Sequence, residues 1–315
     1  MQFHLNYTPP KFPFDIDHKH NLFLIGSCFS ENMGNLLEQH KFKIASNPNG
    51  ILFNPASIHQ CLTDVLNLKD LSDNFILTRN GLFYSYLHHT SINAPSPKAL
   101  KEKINAKTKK ANDHLKESDL LIITFGTAFF YHHLTTGQVV ANCHKQPQQI
   151  FEKNLLAVIE IVSAYTGLIK KLQVFNPKLK IIFTVSPVKY LKDGVVENNL
   201  SKCTLILAVH ELIKQNKNCY YFPAYELVND DLRDYRFYKE DLAHPNDMAV
   251  NYIWEKFSET CFNEQTVLLN KQINKLCTAQ NHREMSTGSE EQQKLKDFIT
   301  KQKEELKKAL PNIEF

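Results

Sequence analysis

The sequence contains no long apolar run, although 43% of its 315 residues are hydrophobic. None of its apolar segments approaches the roughly 20 residues that a helix needs to cross a bilayer. The amino-terminal stretch MQFHLNYTPPKFPFDID lacks both the basic start and the apolar segment of a secretory signal. We therefore predict a cytoplasmic protein without membrane contact, with enough apolar residues for one large core.

Charge and cysteine are not distributed as in nucleic-acid-binding or disulfide-stabilised proteins. Lys and Arg number 37 against 33 Asp and Glu, and the resulting net charge of +4 gives no reason to expect a nucleic-acid partner. The seven cysteines are odd in number and irregularly spaced. This pattern fits reduced thiols in a cytoplasm better than a disulfide framework.

A metal-ligand pattern is also missing. The pairs His88-His89 and His132-His133 have neither the i,i+4 spacing of a helical site nor an obvious carboxylate to complete a ligand set. We expect these histidines to be solvated or hydrogen-bonded, and we predict no metal site.

The stretch that organises the chain is NLFLIGSCFS at residues 21–30. Residues 22–25 are large and apolar, as in a strand buried on both faces, and Gly26 then allows a sharp turn. Ser27 is the first polar side chain after the strand, and Ser30 is placed to cap a following helix. This arrangement puts Ser27 at the carboxyl edge of a sheet, where open α/β sheets bind ligands. The alternative is that Ser27 merely fills an ordinary Gly-Ser turn.

A second motif near the end of the chain favours a chemical role for Ser27. Asp241 and His244 are three residues apart and are followed by Pro245. A nucleophilic serine needs a base to take its proton, and the base needs a partner that fixes its tautomer. His244 and Asp241 can supply both functions.

An early Gly-Ser turn with a late Asp-x-x-His resembles the SGNH (GDSL-like) hydrolase superfamily, and the letters GSCFS at residues 26–30 resemble the signature of its GSCFA branch. Further blocks similar to that branch are GILFNP, TFGTAFF and the run from FTVSPVKYLKDG to YFPAYELVNDDLRDYRFYKEDLAHP. The resemblance covers roughly residues 20–260. It implies a three-layer α/β/α sandwich with a mostly parallel central sheet, of the flavodoxin-like type.

The same resemblance implies roles for several residues. Ser27, His244 and Asp241 form the catalytic triad, and the amides of Cys28 and Gly50 hold the oxyanion. For Gly50 the alternative is a simple turn glycine. Simple members of the superfamily carry a further donor in a Gly-x-Asn motif, but this chain has Ala128 at that place. We expect a nearby group to replace that donor, and the candidates are Thr127, Asn142 and His144.

The remaining pattern predicts alternating strands and helices, which favours right-handed βαβ units. Buried strands are predicted at residues 119–125, 180–185 and 220–222, and hairpins at Asn80-Gly81 and Thr136-Gly137. A long helix is predicted over residues 149–175. We divide the chain into a hydrolase domain, residues 1–262, and a helical extension, residues 263–315, that packs on the domain or on a partner subunit of a homo-oligomer.

These observations predict a serine esterase or O-deacylase that acts on a small acyl ester, for which the resemblance suggests a carbohydrate alcohol. The chemistry requires no metal or organic cofactor. Two alternatives remain open. The same triad could transfer the acyl group to an acceptor alcohol, or the fold could serve as a binding module without turnover, which Ala128 favours.

Overall fold

The structure, a computed structural model, describes residues 5–281, 290–311 and 313. The prolines at positions 9, 10 and 13 also predict an extended arm over residues 1–20, because they exclude a helix. The structure describes this segment from residue 5 onwards, and Ile16 forms a β-bridge with Phe262. The strands are β1 (Asn21–Gly26), β2 (Lys43–Ser46), β3 (Ile76–Arg79), β4 (Leu82–Ser85), β5 (Asn93–Ala94), β6 (Leu120–Phe125), β7 (Phe129–His133), β8 (Val139–Val140), β9 (Phe151–Leu155), β10 (Lys180–Val185) and β11 (Cys219–Tyr221).

Some of the helices begin at a side-chain cap that the sequence supplies. Asn54 accepts a hydrogen bond from the amide of Ser57, and Ser96 accepts one from the amide of Ala99, each just before a proline at the first helical position. The helices are α1 (Cys28–Gln39), α2 (Pro55–Asn67), α3 (Pro97–Glu117), α4 (Val158–Phe175), α5 (Val195–Gln215), α6 (Ala224–Glu226), α7 (Asp247–Cys261), α8 (Glu264–Asn281) and α9 (Glu290–Ala309).

Within the described residues, five parallel strands form the central sheet in the order β11-β10-β6-β1-β2. In the register, Leu24 of β1 lies opposite Ser46 of β2 and Ile122 of β6. Side chains alternate between the faces of a strand. Leu22 and Leu24 therefore pack against α1 and α7 on one face, while Phe23 and Ile25 pack with α2, α3, α4 and α5 on the other.

This arrangement confirms the predicted three-layer α/β/α sandwich. The four apolar residues of β1 are all completely buried, and each such side chain stabilises the fold by about 1.5–3 kcal/mol. The strand ends of β1, β6 and β10 meet at one carboxyl edge, since all three run in the same direction. This edge therefore lies at the ends of strands that are buried in the core.

Two small antiparallel sheets are inserted between the parallel strands, in the orders β3-β4-β5 and β8-β7-β9. They contain both predicted hairpins. The predicted helix over residues 149–175 is wrong in its first part, because Phe151–Leu155 pairs with β7 as strand β9 and the helix begins only at Val158. A short run of mixed polarity fits either structure, and here the pairing with β7 decides.

The C-terminal helices pack on the main body of the protein. Val267 of α8 packs against the core formed with α1 and α7, and Leu306 of α9 packs on Ile273 and Leu276 of α8. The sequence also predicts a polar break between two helices at residues 281–290, and this segment lies almost wholly outside the described residues. The boundary at residue 262 and an assembly through these helices remain predictions. Of the helices that the structure describes, none combines the length and apolarity needed to traverse a bilayer.

Candidate active site

Ser27 stands directly after β1, at the start of α1. The turn requires Gly26, because its φ is +144° and a Cβ there would lie 2.2 Å from the carbonyl oxygen of Thr124. Ser27 has extended backbone angles, and its carbonyl accepts the first helical hydrogen bond, from Glu31. The sequence-predicted cap at Ser30 is therefore wrong, since Ser27 holds that position and Ser30 is buried inside α1.

The hydroxyl of Ser27 is free although the residue is only 1% exposed. Its Oγ caps none of the helix amides and has no hydrogen-bond partner in the described part of the chain. Buried hydroxyls are normally paired, so an unpaired one marks a position reserved for another interaction. The first amides of α1, that of Cys28 first, lack carbonyl partners within the helix and make this end of α1 favourable for negative charge.

Asp241 and His244 form a closely bonded pair. Asp241 Oδ2 lies 2.6 Å from His244 Nδ1, and its Oδ1 accepts from the amides of His244 at 2.9 Å and Ala243 at 3.0 Å. These two amide bonds and the imidazole hold the pKa of Asp241 well below its usual value. With Nδ1 oriented by the carboxylate, Nε2 of His244 remains available on a side chain that is 46% exposed.

The His244 loop is fixed to the sheet edge that carries Ser27. The amide of Lys189, shortly after β10, donates to the carbonyl of Ala243 at 3.0 Å. Lys239 donates its amide to the carbonyl of His244 at 2.7 Å, and Asn246 caps α7. Because β6 separates β10 from β1, this attachment after β10 lies two strands away from β1, which carries Ser27 at its end. Ser27 Oγ and His244 are not hydrogen-bonded to each other in this structure.

Gly50 lies in the loop after β2, next to the Ser27 turn. Its φ is +75°, and a Cβ at this position would lie 2.4 Å from the Cβ of His89. Its amide donates to the carbonyl of Asn47 at 2.8 Å. The residue is thus required as glycine by its backbone conformation and by close packing, and its amide has a partner inside the protein.

Thr127 follows β6, and its polar groups are paired within the protein. Its amide donates to the carbonyl of Phe53 at 2.9 Å. Its Oγ1 lies 3.0 Å from the hydroxyl of Ser201 and accepts from the amide of Phe129. Ala128, completely buried, donates its amide to the same Ser201 hydroxyl at 2.7 Å. These hydrogen bonds attach the segment after β6 to Ser201 of α5.

Asn142 and His144 are brought together behind the first hairpin. Asn142 Oδ1 accepts from the amide of His144 at 2.8 Å, and His144 Nε2 donates to the carbonyl of Ser85 at 2.8 Å. Both side chains also contact the hydroxyl of Thr90. Burial lowers the pKa of His144, which is 2% exposed. These two residues connect to the Ser27 turn only indirectly, through the segment that carries His89.

Two polar residues at this edge did not stand out in the sequence. Asn47 Oδ1 accepts from the amide of Gly26 at 2.8 Å, while its Nδ2 is buried without a partner among the described residues. Lys202 of α5 is 1% exposed and donates to the carbonyls of Gly126 at 2.6 Å and Ser186 at 2.7 Å. Burial lowers the pKa of Lys202 from 10.5 to about 7. The sequence signal for the burial of Lys202 was its position at the helical spacing of the apolar residues of α5.

The cysteines and the described histidines are residue types that can form reactive or metal-binding groups, depending on their geometry. All seven cysteines are free thiols, as predicted, and burial raises the pKa of the Cys28 thiol beside Ser27. In the part of the chain that the structure describes, no group of three or more His, Cys, Asp or Glu side chains is arranged to hold a metal ion.

Comparisons with known proteins find one matching family and several distantly similar solved structures. No curated protein matches the sequence significantly. Similar solved structures include a family 3 carbohydrate esterase from Talaromyces cellulolyticus (10% identity, 80% of this chain and 98% of that chain, TM-score 0.38). An acetyl xylan esterase from Butyrivibrio proteoclasticus is also similar (11%, 82% and 65%, TM-score 0.39). A third is the periplasmic domain of a lipopolysaccharide acetyltransferase from Salmonella Paratyphi A (11%, 78% and 84%, TM-score 0.37). We draw no functional conclusion from these distant likenesses. The profile of the GSCFA family matches residues 21–257.

Proposed function

The chain belongs to the GSCFA family, and we propose that it is a serine hydrolase that cleaves small acyl esters. The observation that carries this proposal is the Asp241–His244 pair, which leaves one imidazole nitrogen available at the sheet edge that carries Ser27. The hydroxyl of Ser27 has no hydrogen-bond partner among the described residues. Ser27 is the nucleophile, His244 is the base, and Asp241 orients His244.

The reaction has two acyl-transfer steps. Ser27 Oγ attacks the ester carbonyl carbon, its proton passes to His244 Nε2, and a tetrahedral oxyanion forms. The alcohol leaves with the proton from His244, which gives an acyl-enzyme. Water then attacks the acyl carbonyl with His244 again as the base, which releases the carboxylic acid and restores Ser27. Asp241 stabilises the imidazolium that forms in each step.

The hydrogen bond between Ser27 and His244 has to form when substrate binds. Catalytic hydrogen bonds in ligand-free enzymes are often long and tighten only in the substrate complex. The His244 side chain is half exposed and therefore has room to turn. Leu242, with a φ of +57°, gives the loop a strained point next to Asp241.

The substrate is an ester of a small acyl group, and the superfamily resemblance favours a carbohydrate hydroxyl as the alcohol. Acyl transfer would use the same residues, because an acceptor alcohol can replace water at the acyl-enzyme. Incubation with a 4-nitrophenyl acyl ester and a competing acceptor sugar separates the two reactions. Free acid as the main product supports hydrolysis, whereas an acylated sugar as the main product supports a transferase.

The proposal is tested by labelling with a fluorophosphonate and measuring the intact mass. We expect one adduct on the wild-type protein, none on Ser27→Ala, and labelling of His244→Ala slowed about 100-fold or more. Ser30→Ala is a matched control, since Ser30 is another buried serine on α1 whose hydroxyl has no partner in the described residues. It should label at the wild-type rate.

A binding module without turnover is the second candidate. It is favoured because Ser27 Oγ and His244 are not hydrogen-bonded to each other in this structure. It is also favoured because the amides of Gly50 and Thr127 already donate to carbonyls inside the protein. Absence of an adduct on the wild-type protein, while a control serine esterase labels completely, would overturn the hydrolase proposal in favour of this one.

A further inference from the structure

The oxyanion of the proposed reaction needs hydrogen-bond donors that are free in the folded protein. Three backbone amides at this site have partners already. The amide of Ser27 donates to Thr124 at 3.3 Å, that of Gly50 to Asn47 at 2.8 Å, and that of Thr127 to Phe53 at 2.9 Å. The hydroxyl of Thr127 is bonded to Ser201. A different donor is therefore required beside Ser27.

Asn47 directly follows the neighbouring strand β2 and lies beside the end of β1, close to the Ser27 turn. Ser46, the last residue of β2, is in register with Leu24 of β1, so Asn47 lies alongside the end of β1. The amide of Asn47 donates to the carbonyl of Leu24 at 2.9 Å, which fixes this position. Its φ is +44°, a conformation that asparagine adopts more readily than most other residues.

The orientation of the Asn47 amide group follows from its partner. The nitrogen of Gly26 can only donate, so the atom of Asn47 that lies 2.8 Å from it is the oxygen. Nδ2 lies about 2.2 Å from Oδ1 in an amide, and so within about 5 Å of the Gly26 nitrogen. Gly26 immediately precedes Ser27.

Nδ2 of Asn47 and Oγ of Ser27 are in the same state. Both atoms are buried, and neither has a hydrogen-bond partner among residues 5–281, 290–311 and 313. A buried amide donor without a partner destabilises the folded protein. Both atoms lie near Gly26, and each is able to bind a substrate atom placed there.

We propose that Asn47 Nδ2 donates a hydrogen bond to the oxyanion formed at Ser27, together with the amide of Cys28 at the start of α1. This proposal rests on the serine hydrolase function proposed above. Asn47 then supplies, from the strand on the other side of β1, the side-chain donor that Ala128 cannot supply. No proton is transferred, and Asn47 acts by stabilising the negative charge as it develops.

Two substitutions separate the donor from the structural role of Asn47. Asn47→Asp keeps an acceptor for the Gly26 amide and tolerates a positive φ, but it has no N–H group. Asn47→Gly is neutral and tolerates the same φ, but it loses both groups. With 4-nitrophenyl acetate we expect kcat to fall about 100- to 1000-fold in both variants, with KM changed by less than about threefold.

The matched control is Asn49→Asp, two residues along the same loop. Asn49 is buried, but its Nδ2 already donates to the carbonyl of Leu87 at 3.3 Å. We expect its kcat to remain within about threefold of wild type. A second readout is the affinity for an alkyl boronic acid, which forms a tetrahedral anion on Ser27. In the neutral Asn47→Gly variant this affinity should fall by about the same factor as kcat/KM.

The outcomes distinguish this proposal from the one on which it rests. Wild-type kcat in folded Asn47→Asp or Asn47→Gly would overturn the role of Asn47 and leave the serine hydrolase intact. No fluorophosphonate adduct and no ester turnover in the wild-type protein would overturn both. A loss of kcat in both variants, with slow but complete labelling of Ser27, supports the assignment.

Discussion

Lys202 donates a hydrogen bond to the carbonyl oxygen of Gly126 at 2.6 Å, from a side chain that is buried beneath the carboxyl edge of the sheet. A second bond, to the carbonyl of Ser186 at 2.7 Å, joins the same ammonium to the neighbouring strand end. The lysine therefore connects the ends of β6 and β10. These are the strands that separate Ser27 from the His244 loop.

The first prediction concerns the pH dependence that this buried lysine imposes on stability. Burial lowers the pKa of Lys202 from 10.5 to about 7. Between these two values the unfolded chain binds one more proton than the folded protein, so the free energy of unfolding rises with pH by up to about 1.4 kcal/mol per unit. Below pH 7 both states are protonated and this contribution no longer changes.

Urea unfolding at pH 7, 8 and 9 measures this effect as the difference between the wild type and Lys202→Met. Burial also raises the pKa of Cys28 and Tyr225, the ionisable groups that face Lys202, and both remain in the variant. Lys214→Met, on the exposed side of α5, is the control and should keep the wild-type slope. Equal slopes in the wild type and Lys202→Met would show that Lys202 is not titrating in this range.

The second prediction concerns the orientation of His244. Asp241→Asn keeps an oxygen for the amides of Ala243 and His244, but it can place an N–H group against Nδ1 and so favour the wrong imidazole tautomer. We expect kcat to fall about 100-fold or more with little change in KM. Steady-state kinetics on a 4-nitrophenyl ester check this. A kcat within threefold of wild type would mean that Asp241 does not orient the base.

The third prediction concerns the turn that presents Ser27. Gly26→Ala would place a Cβ 2.2 Å from a backbone oxygen and impose a φ of +144° on alanine. We expect a loss of about 3 kcal/mol or more in the free energy of unfolding. Gly81→Ala is the control, because Gly81 also has a positive φ, +75°, but open space around it. Its loss should be about 1 kcal/mol, as measured by urea unfolding.

The fold was predictable where the sequence pattern is local. Strands buried on both faces, such as β1 and β6, appear as unbroken apolar runs, and Asn80-Gly81 marks its hairpin directly. The prediction was wrong for the first nine residues of the helix expected over residues 149–175, because the pairing of residues 151–155 with β7 is a tertiary effect. The positions of Ser27 and of the Asp241–His244 pair follow from similarly local motifs.

The polar contacts at the sheet edge could not be predicted in the same way. Asn47 and Lys202 act on backbone groups of Gly26, Gly126 and Ser186, which are 16 or more residues away along the chain. Nothing in the local pattern shows which backbone atom a side chain will meet. The same holds for Thr127, whose partner Ser201 comes from α5.

The last prediction separates a structural from a catalytic role for Thr127. Its hydroxyl is buried and bonded to Ser201, and its amide donates to Phe53. Thr127→Val removes the hydroxyl at nearly constant volume and leaves the Ser201 hydroxyl without this contact. We therefore expect the free energy of unfolding to fall by about 1–3 kcal/mol, with kcat within about threefold of wild type. Thr127→Ser, which keeps the hydroxyl, should recover most of that stability. Urea unfolding and steady-state kinetics on the same preparations distinguish the roles, because a direct oxyanion donor would lose kcat about 100-fold or more. That result would identify Thr127 as an oxyanion donor and would weaken the argument that Asn47 has this role.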